Sequence, residues 1–338
     1  MRRELSVVLA LLLVLFACNG EDASPEPDPE PDPPEEESAG PSGLRVGVVL
    51  PPGDTAAADE IDAAWLRLEQ LADDRSELAE VRVVVPDGGA FVADVASLLA
   101  EDDYGLVCVL GDDGAEIAAD LASQWAGTEF CALPGDPEAE VAENAMLVGL
   151  EVEQLGHVVG TALAVLSGDE PAEALMSAQR TALDRFRLGM RAGFGDGELR
   201  EVTGDLEDLE QELDEALDGE VSALALDAGP EGAQLAQLAA AGLPTLAPAT
   251  LLEEEDAALV WRVRWDRALE AVIEWQLDGE LERPASLGLE QDVFELSAGG
   301  RSSSAMRAAV ETVAGELARG DRDAVATDPE DEEEDTEP

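Results

Sequence analysis

Short uninterrupted apolar runs alternate along the chain with longer stretches in which apolar residues recur every three or four positions. Val46 to Leu50, Val81 to Val85, Leu106 to Leu110, Phe130 to Leu133 and Met146 to Gly149 read as buried strands. Between them, Glu60 to Leu71, Phe91 to Leu99 and Ala115 to Trp125 carry the spacing of amphipathic helices. The pattern then restarts. Helices are predicted at Glu151 to Leu166, Arg180 to Ala192, Leu206 to Leu217 and Glu231 to Ala241. Strands are predicted at Ala174 to Ser177, Leu199 to Val202, Ala223 to Asp227, Thr245 to Leu246 and Leu259 to Val263. Apolar strands separated by helices belong to parallel sheets covered on both faces. The doubled series predicts two doubly wound α/β lobes, with no repeat at solenoid periods.

The amino terminus follows a different pattern. Arg2 and Arg3 precede Leu5 to Ala17, an apolar run too short for a permanent membrane span and followed by small residues. That layout predicts a signal peptide over residues 1–17. The terminal Leu15-Phe16-Ala17-Cys18 resembles a bacterial lipobox, which makes Cys18 the lipidated first residue of the mature chain. Residues 19–43, NGEDASPEPDPEPDPPEEESAGPSG, have no apolar side chain beyond alanine. Proline extension and like-charge repulsion make this acidic, proline-rich segment a solvated stalk. Residues 321–338 form an acidic tail expected to be disordered.

Charge narrows the partners. The chain has 78 acidic residues against 19 basic ones, a formal net charge of −59, and every base is arginine. Stalk and tail hold only a minority of the acids, so the lobes themselves are strongly acidic. Nucleic acid is excluded as a partner, because phosphate binding needs the opposite field. An anionic membrane surface repels such a chain as well, so attachment falls to the lipid. Calcium would require glycine-punctuated ligand spacing, which the tail lacks.

Little in the sequence suggests catalysis. The lone histidine, His157, lies on an apolar helix and reads as a packed structural residue. No zinc site of the usual type can be assembled. There is no G-x-S-x-G elbow, Walker loop or G-x-G-x-x-G, so neither an enzyme nor a cofactor is expected. Ser302-Ser303-Ser304 suits a helix N-cap. Cys108 and Cys131 sit in apolar runs, and the reading favours buried free thiols over a bond between neighbouring strands.

Several segments, in order, resemble the basic membrane protein (BMP) family of lipoproteins. They are the opening strand Leu44-Arg45-Val46-Gly47-Val48-Val49-Leu50 with Ala63-Ala64-Trp65; Leu106 to Gly111, then Glu129-Phe130-Cys131-Ala132; and Val148 to Gly156 with Gly160. Phe186-Arg187-Leu188-Gly189-Met190-Arg191-Ala192-Gly193, the loop Asp227-Ala228-Gly229-Pro230-Glu231-Gly232, and a closing hairpin of Ser286 to Leu289 with Val293 to Leu296 complete the set. The resemblance implies a type I periplasmic-binding-protein fold, two parallel-sheet lobes joined by a multi-strand hinge, that delivers solute, often a nucleoside, to an ABC permease. The lobes are then expected at 44–150 with about 258–282, and at 151–257 with about 283–320. The first-loop residues that grip and stack the nucleoside in that family are Ala57, Glu60 and Ile61 here. The second-lobe phenylalanine appears as Leu206, although Asp208 is retained, and the lysine of the later crossing helix falls at Asp266.

Candidate ligand contacts are therefore sought at strand ends. Asp112 and Asp113 follow the third strand and read either as acceptors for a ligand or as a helix N-cap. Trp261, Arg262, Arg264 and Trp265 form the densest aromatic and basic cluster, suited to a carboxylate, phosphate or ring. The same arginines could equally pair with acids such as Glu253 to Asp256. Gly229 opens a loop whose backbone N–H groups can face an anion. The expectation is an extracytoplasmic, lipid-anchored solute-binding protein of an ABC importer. The alternative is a lipid-anchored sensor or scaffold with a degenerate cleft.

Overall fold

A computed structural model describes residues 43–49, 58–84, 95–96, 99, 103–111, 114–178, 182–219, 221–280 and 284–325. The chain divides into units 1–40 and 41–338, and every described residue belongs to the second. The signal peptide, Cys18, the stalk, Asp112, Asp113 and most of the helix expected at Phe91 to Leu99 lie outside the described residues.

Among the described residues, twelve strands form two six-stranded sheets. The first sheet contains β1 (Leu44–Val49), β2 (Leu78–Val84), β3 (Leu106–Leu110), β4 (Glu129–Leu133), β5 (Ala145–Leu150) and β11 (Ala285–Leu287), in the order β11-β5-β4-β3-β1-β2. The second contains β6 (Ala172–Ser177), β7 (Leu199–Gly204), β8 (Ala223–Asp227), β9 (Thr245–Pro248), β10 (Leu259–Val263) and β12 (Phe294–Ala298), in the order β12-β10-β9-β8-β6-β7. Every pairing is parallel except that of β12 with β10, an antiparallel edge on a parallel sheet. The uniformly buried strands β3, β5 and β8 are the ones that read as unbroken apolar runs, because both of their faces are covered.

Strand alternation separates three cores. Leu106, Cys108 and Leu110 point to one face of the first sheet, while Val107 and Val109 point to the other, where they meet Phe130 and Ala132. In the second sheet Ala223 and Ala225 face one side, and Leu224 and Leu226 the other. Each outer face has its own cluster, but the inner faces of both sheets belong to a single cluster that also takes in Leu155, Val159, Phe186, Leu269 and Met306.

The helices bounded within the described residues are α1 (Ala58–Asp74), α2 (Gly114–Ala122), α3 (Val152–Ser167), α4 (Leu183–Phe194), α5 (Leu206–Asp218), α6 (Ala233–Gly242), α7 (Trp265–Asp278) and α8 (Ser304–Ala318). Local chemistry fixes their ends. Ser303 Oγ accepts from the Met306 N–H at 3.0 Å, so the serine run caps α8 as expected. Gly279, at φ +69°, ends α7 in the left-handed conformation. Helices α3 and α4 pack backbone to backbone. A Cβ on Gly156 or Gly160 would collide with the Phe186 or Met190 carbonyl, and one on Gly189 or Gly193 with that of Glu153 or His157. Across another helix pair, Arg67 on α1 binds Glu270 on α7 at 2.9 Å, and Arg75 binds Glu274 at 2.9 Å.

Five sequence expectations are corrected. Segment 258–282 does not belong wholly to the first lobe, because β10 pairs with β9 and β12 in the second sheet. Residues from 283 onward do not all belong to the second, because β11 pairs with β5 in the first. The expected closing hairpin is thus a crossing, since its two strands lie in different sheets. Cys108 and Cys131 are not free thiols: they are register partners on β3 and β4, with Cα atoms 4.6 Å apart, and form a disulfide. Residues 321–325, expected in the disordered tail, belong to the described structure. The His157 Nδ1 donates to the Ala324 carbonyl at 2.9 Å, and Ala324 packs against the inner core. His157 is itself buried, as its apolar helix suggested.

Candidate functional site

In open parallel sheets, ligands meet the carboxyl ends of the strands, where the connecting loops diverge. Here three chain crossings also leave from strand carboxyl ends: β5 to α3 at Leu150–Val152, β10 to α7 at Val263–Trp265, and β11 to β12 through a single 3₁₀ turn, Leu289–Gln291. The crossings consist of short polar segments between buried strands and helices, which places charged and amide side chains at the junction of the lobes.

Arg262 and Arg264 lie at the end of β10. The Arg264 guanidinium grips Asp266 through two bonds, Nε to Oδ1 at 2.8 Å and Nη2 to Oδ2 at 2.7 Å. Its Nη1 stands 3.7 Å from Glu295 on β12, which Arg262 Nε also approaches at 3.5 Å. Burial pushes the Asp266 carboxyl up, but the bonds and charge of Arg264 outweigh it and hold the group below its ordinary value. The hydrogen bond to Asp266 correspondingly raises the Arg264 guanidinium. The arginines therefore pair internally, with Asp266 and Glu295 rather than with Glu253 to Asp256. Trp265 is buried in the inner core as the first residue of α7. Trp261 is buried too, with its ring 6.2 Å from that of Phe186 on α4.

The other second-lobe candidates lie at separate strand ends. Asp208 completes a capping box at the start of α5. The Asp205 side chain accepts from the Glu207 and Asp208 N–H groups at 3.1 Å, and Asp208 Oδ2 accepts from the Asp205 N–H at 3.4 Å. Leu206, where the family has an aromatic platform, opens that same helix half-buried. Gly229 adopts φ +73° as the N-cap of the short turn Pro230–Gly232, two residues after the buried Asp227 at the end of β8. Thus the structure brings Arg262, Arg264 and Trp265 together, and leaves Asp208 and Gly229 on other loops of the same sheet.

Sequence reasoning missed a second set of residues at the crossings. Gln154 Oε1 accepts from the Leu289 N–H at 2.8 Å, while its Nε2 donates to Glu151 Oε2. The Glu151 N–H donates to the Leu287 carbonyl at 2.8 Å. A Cβ on Gly288 would run into the Glu151 carboxylate and the Gln154 amide, so a side chain there would push those two groups aside. Burial, followed by the charge of Glu153, pushes the Glu151 carboxyl up. The signal available was a polar pair, three residues apart, at the start of an otherwise apolar helix.

A groove of about 380 Å³ lined by Pro137, Glu138, Ala139, Val141, Met146, Leu147 and Pro284 lies elsewhere, beside the first half of β5 and the entry to β11. Among the described residues no cluster of three or more histidine, cysteine or acidic side chains is arranged to hold a metal ion. Among them, too, no helix is long and apolar enough to cross a membrane.

No protein-family model matches the chain. Comparison with curated proteins finds no match either. Solved structures do match. An ABC transporter solute-binding protein from Conexibacter woesei superposes with TM-score 0.61 at 20% identity, covering 83% of this chain and 98% of its own. A transcriptional activator of the comK gene from Bacillus halodurans gives 0.63 at 14% identity, covering 83% and 99%. A periplasmic solute-binding protein from Actinobacillus succinogenes with bound D-allose gives 0.52 at 12% identity, covering 75% and 97%. At these identities the likeness is one of fold, and the chain has the α/β architecture of periplasmic solute-binding proteins.

Proposed function

We propose that the protein is a lipid-anchored, extracytoplasmic receptor that captures a small solute between two lobes and presents it to an ABC permease. The observation that carries this reading is the pair of doubly wound sheets whose strand carboxyl ends adjoin three crossings, the place where this fold accommodates ligands. The neighbours of the same fold include solute-binding proteins, among them ones holding a sugar. The lipobox-like Cys18 and the acidic stalk supply tether and spacing, and the Cys108–Cys131 disulfide suits an oxidising compartment. The ordered BMP-like segments make a divergent nucleoside receptor one form of this proposal. The loss of the aromatic at Leu206 argues for a ligand held by hydrogen bonds rather than stacking, since an aromatic platform is worth about 1–3 kcal/mol per base. No enzymatic step enters the proposal.

Isothermal calorimetry of the purified protein against sugars, nucleosides and amino acids tests it. One class is expected to bind with a matching rise in melting temperature. No heat and no thermal shift across the panel would sink it. That result would favour a second reading, a sensor or scaffold, which the internal pairing of Arg262 and Arg264 supports. The tether has its own test. Cys18→Ala is expected to move the protein from the detergent phase to the aqueous phase, and equal partitioning of both forms would remove the anchor.

A further inference from the structure

The three crossings are joined to one another. Glu151, at the first, donates its N–H to the Leu287 carbonyl at the start of the third. Gln154 reinforces that tie from the first turn of α3 through Leu289. The third crossing is fastened to the second by the Arg264 N–H on the Val293 carbonyl at 2.8 Å, and folds on itself through the Gly288 N–H on Gln291 Oε1 at 2.9 Å. Two of these four bonds run from backbone to backbone and survive any side-chain change, while the other two depend on the Gln154 and Gln291 amides. The Gln154 amide couples the first and third crossings through its oxygen, while its nitrogen holds Glu151 within the first. Its orientation is fixed by chemistry: Leu289 offers an N–H, so the carbonyl oxygen must face it, and the Glu151 carboxylate needs the amide N–H.

We propose that Gln154 is a positioning residue that sets the angle between the two lobes. Helix α3 packs in the second lobe against α4 and α8, while Leu287 closes a strand of the first sheet. The amide therefore spans the pivot, and without it the hydrogen-bonded tie between the first and third crossings falls to the Glu151–Leu287 backbone bond, which tolerates rotation. This inference rests on the fold and is independent of whether any solute binds.

The test uses the full chain without added solute. Donor and acceptor dyes are introduced through unnatural amino acids at the exposed Glu69 on α1 and Glu210 on α5, one in each lobe, and single-molecule energy transfer is recorded. Gln154→Met keeps shape and removes both bonds. It is expected to move the mean transfer efficiency by more than the wild-type peak width, or to split the peak. The exchanged pair E151Q/Q154E restores the relay, because the carboxylate placed at 154 accepts from the Leu289 N–H and from the amide placed at 151. It is expected to return the wild-type peak. A Q154M peak superimposable on wild type overturns the proposal, whatever happens to the melting temperature. So does a Q154M shift that the exchanged pair fails to reverse. Because no ligand is present, a negative calorimetric panel leaves this test intact.

Discussion

At the level of single residues, Gly160 and Glu173 mark two kinds of tight spot. A methyl group on Gly160 would overlap the Met190 carbonyl, and because both partners are helix backbone neither can yield cheaply. Gly160→Ala is expected to cost about 3 kcal/mol, at the upper end of overpacking, read from urea unfolding midpoints. The sequence displayed Gly156, Gly160, Gly189 and Gly193 as members of two helices, but not that they interlock, since mutual register is a tertiary property. Glu173 on β6 is fully buried, with both carboxylate oxygens lacking a hydrogen-bond partner and Arg200 3.5 Å away. Burial pushes its carboxyl above the ordinary value, and Arg200 offsets only part of that. A raised folded value means that the folded state holds the proton more tightly. Its contribution to stability is thus complete at low pH and is lost as pH rises through the raised value. Glu173→Gln mimics the protonated form, so it should melt higher than wild type at neutral pH, with the gap closing in acid. Equal gaps across a calorimetric pH series would contradict that sign.

Among elements, the ion pairs of α1 and α7 behave in the opposite way. Burial raises the Glu270 carboxyl, but hydrogen bonds from Arg67 and Arg267 hold it below its ordinary value. Stability from this pairing is present above the ordinary carboxylate range and drains away as pH falls through the lowered value. Glu270→Gln is expected to cost about 1–3 kcal/mol at neutral pH and less in acid, discounted from a buried pair because Arg67 is partly exposed. The disulfide joins elements directly. With its cysteines 23 positions apart, removing it as C108A/C131A should cost about 3 kcal/mol in denaturant unfolding. Strand-helix alternation was legible because β3, β5 and β8 are buried on both faces and so appear as unbroken apolar runs. The destination of β11 was not: three residues carry no period, and only pairing with β5 assigns them to the first sheet. For the same reason the cysteines could not be read as bonded until β3 and β4 were neighbours in register.

For the molecule as a whole, the doubled α/β plan was visible in the sequence, while the candidate site was only partly so. Arg262, Arg264 and Trp265 stood out as a cluster, yet their partners Asp266 and Glu295 are set by the turn into α7 and by the pairing of β12 with β10. Gln154 drew no attention as a lone amide, because its role depends on Leu289, which is remote in the chain and adjacent only after folding. One further property follows from the hydrogen bond between His157 and Ala324. An engineer trimming the molecule for crystallisation would naturally cut just beyond α8. That cut would take away the Ala324 carbonyl that accepts from the imidazole and uncover part of the inner core against which Ala324 packs. Shortened versions should keep at least the residues through 325, and purification tags belong beyond that point.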